Sequence, residues 1–434
     1  MKIEPLQASD IFIKVLDYDQ KLSGLTGNIA QLIVRLSDVP KKHKVLSKIN
    51  EWISYEPALK RILKKKILKD YWYINNNKIF NPYVYWHINT SLEEILKLRV
   101  NTFKTIYNSP LLALDFIENT NEFTILLTWH HILADAKGGE LIFYRLRSND
   151  ISTSKITDQN LIRFDSSILK NLNQMKIFRE KVVKQMSQNN IISLIDRNDK
   201  IKNKNLILLS KHIQIDKNLT DNIKYRAQHI NPIFGETSLF IAISIKEIHK
   251  LIKNKDTGNF LIPLPINLRN PTSIYPLIGN PVSFIFLLIN REEVENLSIL
   301  KLSKLISTKL IDDVKNNIIN ATNAALNIGK FLPLRLYRYI LRNTMQGQLG
   351  SMFFANTGLS YISNPAGQAT DFLGYKINSC FHRPMVSIPP GIGFFYSTYN
   401  QKLHITICWI NEIMSKNEIS NISNNIVRNL EQTL

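Results

Sequence analysis

Cysteine is nearly absent from this 434-residue chain. The two that occur, Cys380 and Cys408, cannot build a disulfide framework, and such scarcity fits a reducing compartment. No apolar run is long enough to span a bilayer. The richest, NPVSFIFLLIN at 280–290, has the length of a buried strand. The opening MKIEPLQASDIFIKVLDYDQ carries acidic residues and no continuous apolar core, which argues against a signal peptide. The expectation is a cytoplasmic protein. Three active-site signatures are also missing: the GxSxG nucleophile elbow, the GxxxxGK[ST] phosphate loop and the HExxH zinc motif.

Acidic side chains are the scarce charge. Against 55 Lys and Arg stand 35 Asp and Glu, a formal net charge of +20. Lysines cluster in PKKHK (40–44) and LKRILKKKILKD (59–70). Such charge attracts anions, whether nucleic acid, acidic lipid headgroups, phosphates or an acidic carrier protein. No nucleic-acid module accompanies it, and YWYINNNKIFNPYVYW (71–86) alternates like strands and a turn rather than a base-stacking platform. Lys, Asn and Ile abound throughout, so solvated faces account for most of the excess. The expected partners exclude nucleic acid and allow weak association with acidic membranes.

A length of 434 residues and a hydrophobic fraction of 44% suit two lobes or one domain of double size. Helical spacing runs from 44 to 72, with Pro57 marking a start or a break. SLEEILKLRV opens a further helix, with Ser91 as N-cap and Glu94 completing a capping box. PLLALDFIEN and NEFTILLTWHH read as two strands, and GGELIFYRLRS as the helix after them. A polar stretch follows, with one helix in QMKIFREKVVKQM. Beyond it a second series of strands and helices ends in GIGFFYSTYNQ, KLHITICWIN and a terminal helix. The organisation is an α/β or α+β chain of two similar lobes, at 1–165 and 206–434, joined by a crossing segment at 166–205.

Polar chemistry concentrates in TWHHILADAKGG (128–139). Neighbouring residues at a strand end point to opposite faces, so His130 and His131 cannot both serve one centre unless the chain turns between them. One of the two is structural. The other, with one ring nitrogen held and one free, suits a general base near neutral pH. Asp135 can meet the histidine or a distant arginine, and Gly138 and Gly139 allow tight passage into the next helix. Metal binding by His131 and Asp135 lacks a nearby third ligand. A buried, satisfied histidine pair and general-base chemistry both stay open on the residues alone.

HHILADA resembles the HHxxxDG signature of the coenzyme-A-dependent acyltransferase superfamily. That group includes chloramphenicol acetyltransferase, peptide-synthetase condensation domains and bacterial wax ester synthases. The likeness covers most of the chain: PLQASDIFIKVLD and EPALKRIL resemble the wax-synthase opening, IPLPINLRNP and LIGNPVSF its NLR and GN segments, and FFANTGLS its Ser-Asn-x-x-Gly strand. Ala136 stands where the signature has glycine, and Ala113 replaces the aromatic of the wax-synthase PLW motif. Were a positive φ required at 136, alanine would cost about 1 kcal/mol unless Gly138 and Gly139 supplied the turn.

The resemblance implies two chloramphenicol-acetyltransferase-like α/β sandwich lobes forming a pseudo-dimer around a central tunnel. It implies an acyltransferase in which His131 is the base, His130 gives structural support, and Asp135 pairs with Arg269. Asn356 and Thr357 would orient the acceptor or oxyanion beside the tunnel, with Gly138, Gly139 and Asn280 also lining the substrate site. No metal and no permanently bound cofactor are implied. The co-substrate is acyl-CoA or a phosphopantetheinyl thioester on an acyl carrier protein, the acceptor a small molecule, and the protein a monomer. The alternatives are a free-standing condensation domain and a non-catalytic, ligand- or partner-binding relative.

Overall fold

The computed structural model describes residues 3–65, 70–74, 81–103, 105–120, 122–147, 168–188, 190–195, 206–252, 258–270, 277–344, 350–359 and 370–432. The first half runs β1 (Ile3–Pro5), α1 (Ala8–Leu22), β2 (Ile29–Leu36), α2 (Lys42–Tyr55), β3 (Arg61–Lys65), β4 (Asp70–Ile74), β5 (Tyr83–Ile88), α3 (Leu92–Arg99), β6 (Leu112–Asn119), β7 (Glu122–His130) and α4 (Ala136–Arg147). α5 (Ile168–Phe178) passes through a π-helical turn into α6 (Lys184–Gln188). The second half opens with β8 (Leu208–Gln214), α7 (Lys217–Ile230), α8 (Gly235–Leu251), β9 (Asn259–Asn267) and β10 (Val282–Asn290). Four helices follow, α9 (Arg291–Asn296), α10 (Ile299–Lys315), α11 (Ile318–Gly329) and α12 (Leu334–Thr344). The chain closes with β11 (Phe353–Gly358), β12 (Asp371–Phe372), β13 (Tyr375–Pro384), β14 (Ile392–Tyr399), β15 (Lys402–Ile410) and α13 (Lys416–Gln432).

One strand pattern occurs twice. β5 is parallel to β6, which pairs antiparallel with β7, which pairs antiparallel with β2. In the second half β11 is parallel to β14, and β15 and then β8 follow antiparallel. The repeat extends to single backbone bonds at the strand ends. His130 N–H donates to the Leu111 carbonyl (3.0 Å) and His131 N–H to that of Asn28 (2.8 Å). At the equivalent turn Ile410 N–H donates to Gly391 (3.0 Å) and Asn411 N–H to Ile207 (3.1 Å). Two like α/β lobes are therefore present, as the chain's alternation of elements implies.

The lobes are interwoven. β13 pairs antiparallel with β2 and, with β12, completes a sheet of order β12-β13-β2-β7-β6-β5. The second sheet has the order β11-β14-β15-β8, and Ser351 N–H ties the β9–β10 ladder to it through the Leu261 carbonyl. Each lobe buries its own core, around Trp52, Phe116 and Trp129 in the first and Phe240, Phe260 and Phe394 in the second. Arg383 of β13 locks them together. Its guanidinium is buried and donates to Gln31 of β2 and to Leu208 and Ser210 of β8.

Beside this lock His212 stacks on Phe381 with ring centroids 3.6 Å apart, and His404 bonds His212 across 3.0 Å. Burial pushes His212 down to about 3 and His404 down to about 4. Both rings are neutral when folded but take up protons near pH 6.5 when unfolded, so stability falls as pH drops from 6.5 toward 4. Each ring should cost about 2 kcal/mol by pH 5. Thermal unfolding across that range checks this, since His212→Phe should flatten the dependence.

Helical spacing over 44–72 misleads. α2 stops at Tyr55, where Glu56 caps a 3-10 turn starting at Pro57, and the lysine-rich segment then forms β3 against β4. Strand pairing in a sheet of order β1-β4-β3 outweighs the helix propensity of Leu and Lys. The capping box at Ser91 and Glu94 is present as read. The 165/166 boundary and the polar stretch 196–205 lie outside the described residues.

Candidate active site

β7 ends by dividing its last residues between two environments. Trp129 enters the first-lobe core and donates from Nε1 to the Ala134 carbonyl at 2.8 Å, which folds the following turn back on the strand. His130 points the other way and is fully buried. Its Nε2 bonds Asp17 Oδ1 of α1 at 2.9 Å, while Nδ1 accepts from Ile132 N–H at 3.2 Å. An acceptor at Nδ1 leaves the proton on Nε2, so both nitrogens are occupied. Burial pushes the Asp17 carboxyl up, but the His130 bond and Lys21 outweigh it and hold Asp17 below the usual carboxylate range. His130 is a structural strut.

The chain turns after His130, and the two histidines serve different environments. His131 N–H is held by the Asn28 carbonyl, and the residue keeps part of its surface exposed. Its Nδ1 is sealed from solvent without a conventional hydrogen bond. Among the described residues Nε2 has no hydrogen-bond partner, and it is not sealed. Beside the ring lies Asn280, fully buried, whose Nδ2 donates to Asp10 Oδ1 (3.0 Å) and to the Ile132 carbonyl (2.9 Å). Asn280 Oδ1 has no conventional hydrogen-bond partner among the described residues, and the carbonyl of His131 and then Asn280 favour a proton on the imidazole. Burial nevertheless dominates and pushes the His131 pKa down, with the Asp135 charge pulling against it. The ring is neutral at pH 7.

Asp135 caps α4: its Oδ1 accepts from Gly138 N–H at 2.7 Å. The same carboxylate takes both arms of Arg269, Nη1 to Oδ2 at 2.9 Å and Nη2 to Oδ1 at 2.8 Å. Arg269 spends its remaining donors on the Leu277 and Gly279 carbonyls and Asn267 Oδ1. Asp135 N–H in turn donates to Gly279 at 3.0 Å. The second lobe thus clamps the histidine turn of the first.

Ala136 begins α4 without a positive φ, so the departure from HHxxxDG carries no backbone strain. Nor do Gly138 and Gly139 supply a turn, contrary to the sequence reading. Both lie inside the helix, and what they provide is close approach. A Cβ at Gly139 would meet the Trp129 ring at 2.3 Å, and one at Gly138 would meet the Ala134 Cβ at 2.7 Å and the Gly279 carbonyl at 3.0 Å. Asn356 and Thr357 occupy successive positions of β11 and so face opposite ways. Asn356 bonds Thr237 of α8 at 3.3 Å, which turns it to the helix side, and Lys137 of α4 reaches the Gly358 carbonyl at the strand's end. A shared acceptor site for the two does not follow from this arrangement. Among the described residues no group of three or more His, Cys, Asp or Glu could hold a metal. A surface groove of about 830 Å³ runs along α5 and α6, lined by Met175, Arg179 and Lys184, and includes none of these groups.

Reasoning from sequence missed Asp10 and Asp17, the α1 carboxylates that hold Asn280 and His130. Their signal was weak: single acidic residues on an amphipathic helix, far along the chain from the motif.

No family model matches the sequence, and no curated protein sequence does. Solved structures do. Trichothecene 15-O-acetyltransferase from Fusarium sporotrichioides matches with a TM-score of 0.72 at 10% identity, over 98% of this chain and 94% of that one. The first condensation domain of the calcium-dependent antibiotic synthetase gives 0.66 at 11% identity, over 99% and 95%. Polyketide synthase associated protein 5 from Mycobacterium tuberculosis gives 0.65 at 14%, over 99% of both chains. The fold is that of condensation domains. The chain bears the paired histidines on one lobe, since the equivalent turn of the other carries Ile410 and Asn411.

Proposed function

We propose that the protein is an acyltransferase that moves an acyl group from a thioester to a hydroxyl or amine, with His131 as general base. The observation that carries this reading is the state of one ring, with Nδ1 sealed beside Asn280 and Nε2 unbonded, on a turn clamped by the opposite lobe. A base with a lowered pKa is unprotonated at neutral pH and ready to accept. The acceptor's oxygen or nitrogen attacks the thioester carbonyl as its proton passes to Nε2. The tetrahedral intermediate then collapses, the C–S bond breaks, and the proton on Nε2 goes to the departing thiolate. The Asp135 charge steadies the imidazolium between these steps. No covalent acyl-enzyme is required, because the thioester is already activated and both substrates are held together in a tunnel between the lobes.

Acyl-CoA is the donor this reading favours, and a phosphopantetheinyl carrier would present the same thioester. The second reading, amide or ester formation from carrier-bound substrates, draws support from the condensation domains among the similar structures. Incubation with acyl-CoA or acyl-carrier and a panel of alcohols and amines tests both, with thiol release and product mass as readouts. Neither signal above the enzyme-free rate would leave the non-catalytic, ligand-binding reading.

The His131 carbonyl and Asn280 both favour a proton on the ring. Asn280→Ala removes the smaller of these two contributions and should lower kcat by roughly fivefold, the equivalent of about 1 kcal/mol. Because Asn280 favours the protonated ring, its loss should also move the acidic limb of the kcat/KM profile to lower pH. An unmoved limb would reduce Asn280 to a brace for Asp10 and Ile132.

A further inference from the structure

α12 presents one face to the protein and leaves the other uncovered. Inward, Tyr337 joins the first-lobe core, and Arg338 and Arg342 both reach the buried carboxylate of Asp19 on α1, at 2.7–2.9 Å. Outward, Arg335, Leu336, Tyr339 and Ile340 recur at the three- and four-residue spacing that aligns side chains along one side of a helix. Leu336 is 44% exposed, Tyr339 63%, Ile340 42%, and Phe331 on the approach to the helix 66%.

The charge around this face has one sign. No acidic residue occurs between Asp313 and Asp371, while Lys330, Arg335, Arg338 and Arg342 fall within that interval. Asp19 engages the two inward arginines; among the described residues Lys330 and Arg335 have no acidic partner. A second copy of the chain is a poor occupant, because a two-fold contact would set these cations against their own counterparts. An acidic bilayer surface suits every part of the face. Its phosphates complement Lys330 and Arg335, its headgroup layer suits the Phe331 and Tyr339 rings, and the acyl boundary takes Leu336 and Ile340.

We propose that Phe331 and the outer face of α12 form a docking surface for an anionic lipid bilayer, with the helix lying in the plane of the headgroups. No described helix is long and apolar enough to cross a membrane, so attachment would be peripheral. The inference does not depend on acyl transfer. It also moves the expected membrane contact away from the lysine clusters at 40–44 and 59–70.

Co-sedimentation of the full chain with phosphatidylcholine vesicles, with and without phosphatidylglycerol, tests it. The wild type should bind the phosphatidylglycerol-containing vesicles and ignore the neutral ones. Lys330→Glu with Arg335→Glu should weaken binding by roughly tenfold or more, since each cation near an acidic surface contributes about fivefold. Tyr339→Ser with Ile340→Ser should weaken it as well. Lys41→Glu with Lys44→Glu, at exposed positions of a lysine cluster elsewhere, should leave it near the wild-type level. All the substituted side chains are exposed or surface-lying, and an unchanged melting temperature verifies each fold. Equal loss in the Lys41/Lys44 variant, no loss in the Tyr339/Ile340 variant, or no binding by the wild type would overturn the proposal. So would vesicle-independent self-association abolished by the same α12 variants, which would assign the face to a second copy.

Discussion

His131→Ala should abolish acyl transfer while leaving the melting temperature almost unchanged. A positioned general base contributes about 10²- to 10⁴-fold, and the His131 ring contributes little to packing, since it keeps exposed surface and its side chain makes no conventional hydrogen bond. Turnover above a tenth of the wild-type rate would remove His131 from the role of base. His130→Ala should do the reverse. It empties a fully buried position, leaves Ile132 N–H without its acceptor and takes one of three partners from Asp17, which keeps Asn28 N–H and Lys21. It should therefore lower stability, by about 2–3 kcal/mol. The comparison separates chemistry from support at adjacent residues.

The largest loss of stability should come from breaking the clamp. Asp135→Ala leaves the Arg269 guanidinium, 1% exposed, without its carboxylate, and Arg269→Ala removes both arms from Asp135. Uncompensated charge at such a site costs about 3–5 kcal/mol. Removing both partners eliminates the orphan charge, so the double variant should cost less than the sum of the singles. Denaturant unfolding of the four proteins measures the coupling. Additive losses would show that the two side chains act independently. Activity should fall with stability in both single variants, because Asp135 also caps α4 and fixes the turn that carries His131.

Much of this site is legible in the amino-acid order because it is local. Strand alternation into a polar turn, followed by glycines at a helix start, requires only neighbouring residues to agree. What was hidden depends on distant partners. Nothing near Asn280 in the chain reveals that Asp10, 270 positions earlier, takes its amide proton. The lysines of β3 keep helical spacing, yet pairing with β4 makes them a strand. Gly138 and Gly139 were readable as necessary, though for the wrong reason, because the Trp129 ring that would meet a Cβ at 139 lies on the preceding strand. Ala136 looked like a defect only while its dihedral was unknown. Asn356 and Thr357 show the same dependence, since strand alternation places the two neighbours on opposite faces and the partner of Asn356, Thr237, lies 119 positions earlier.

The strand that crosses between lobes bears on how the chain is made. β2, finished at Leu36, finds its partner on one side in β7 but must wait on the other for β13, which ends at Pro384. β7 itself ends at His130, so at ribosomal speeds of about 5–20 residues per second the synthesis from there to Pro384 takes roughly 13–50 s. Throughout that interval the first sheet has an open edge of the kind that recruits other chains. The nascent chain therefore keeps this edge open until β13 has been made. A fragment that stops before β13 should be sticky rather than half-functional.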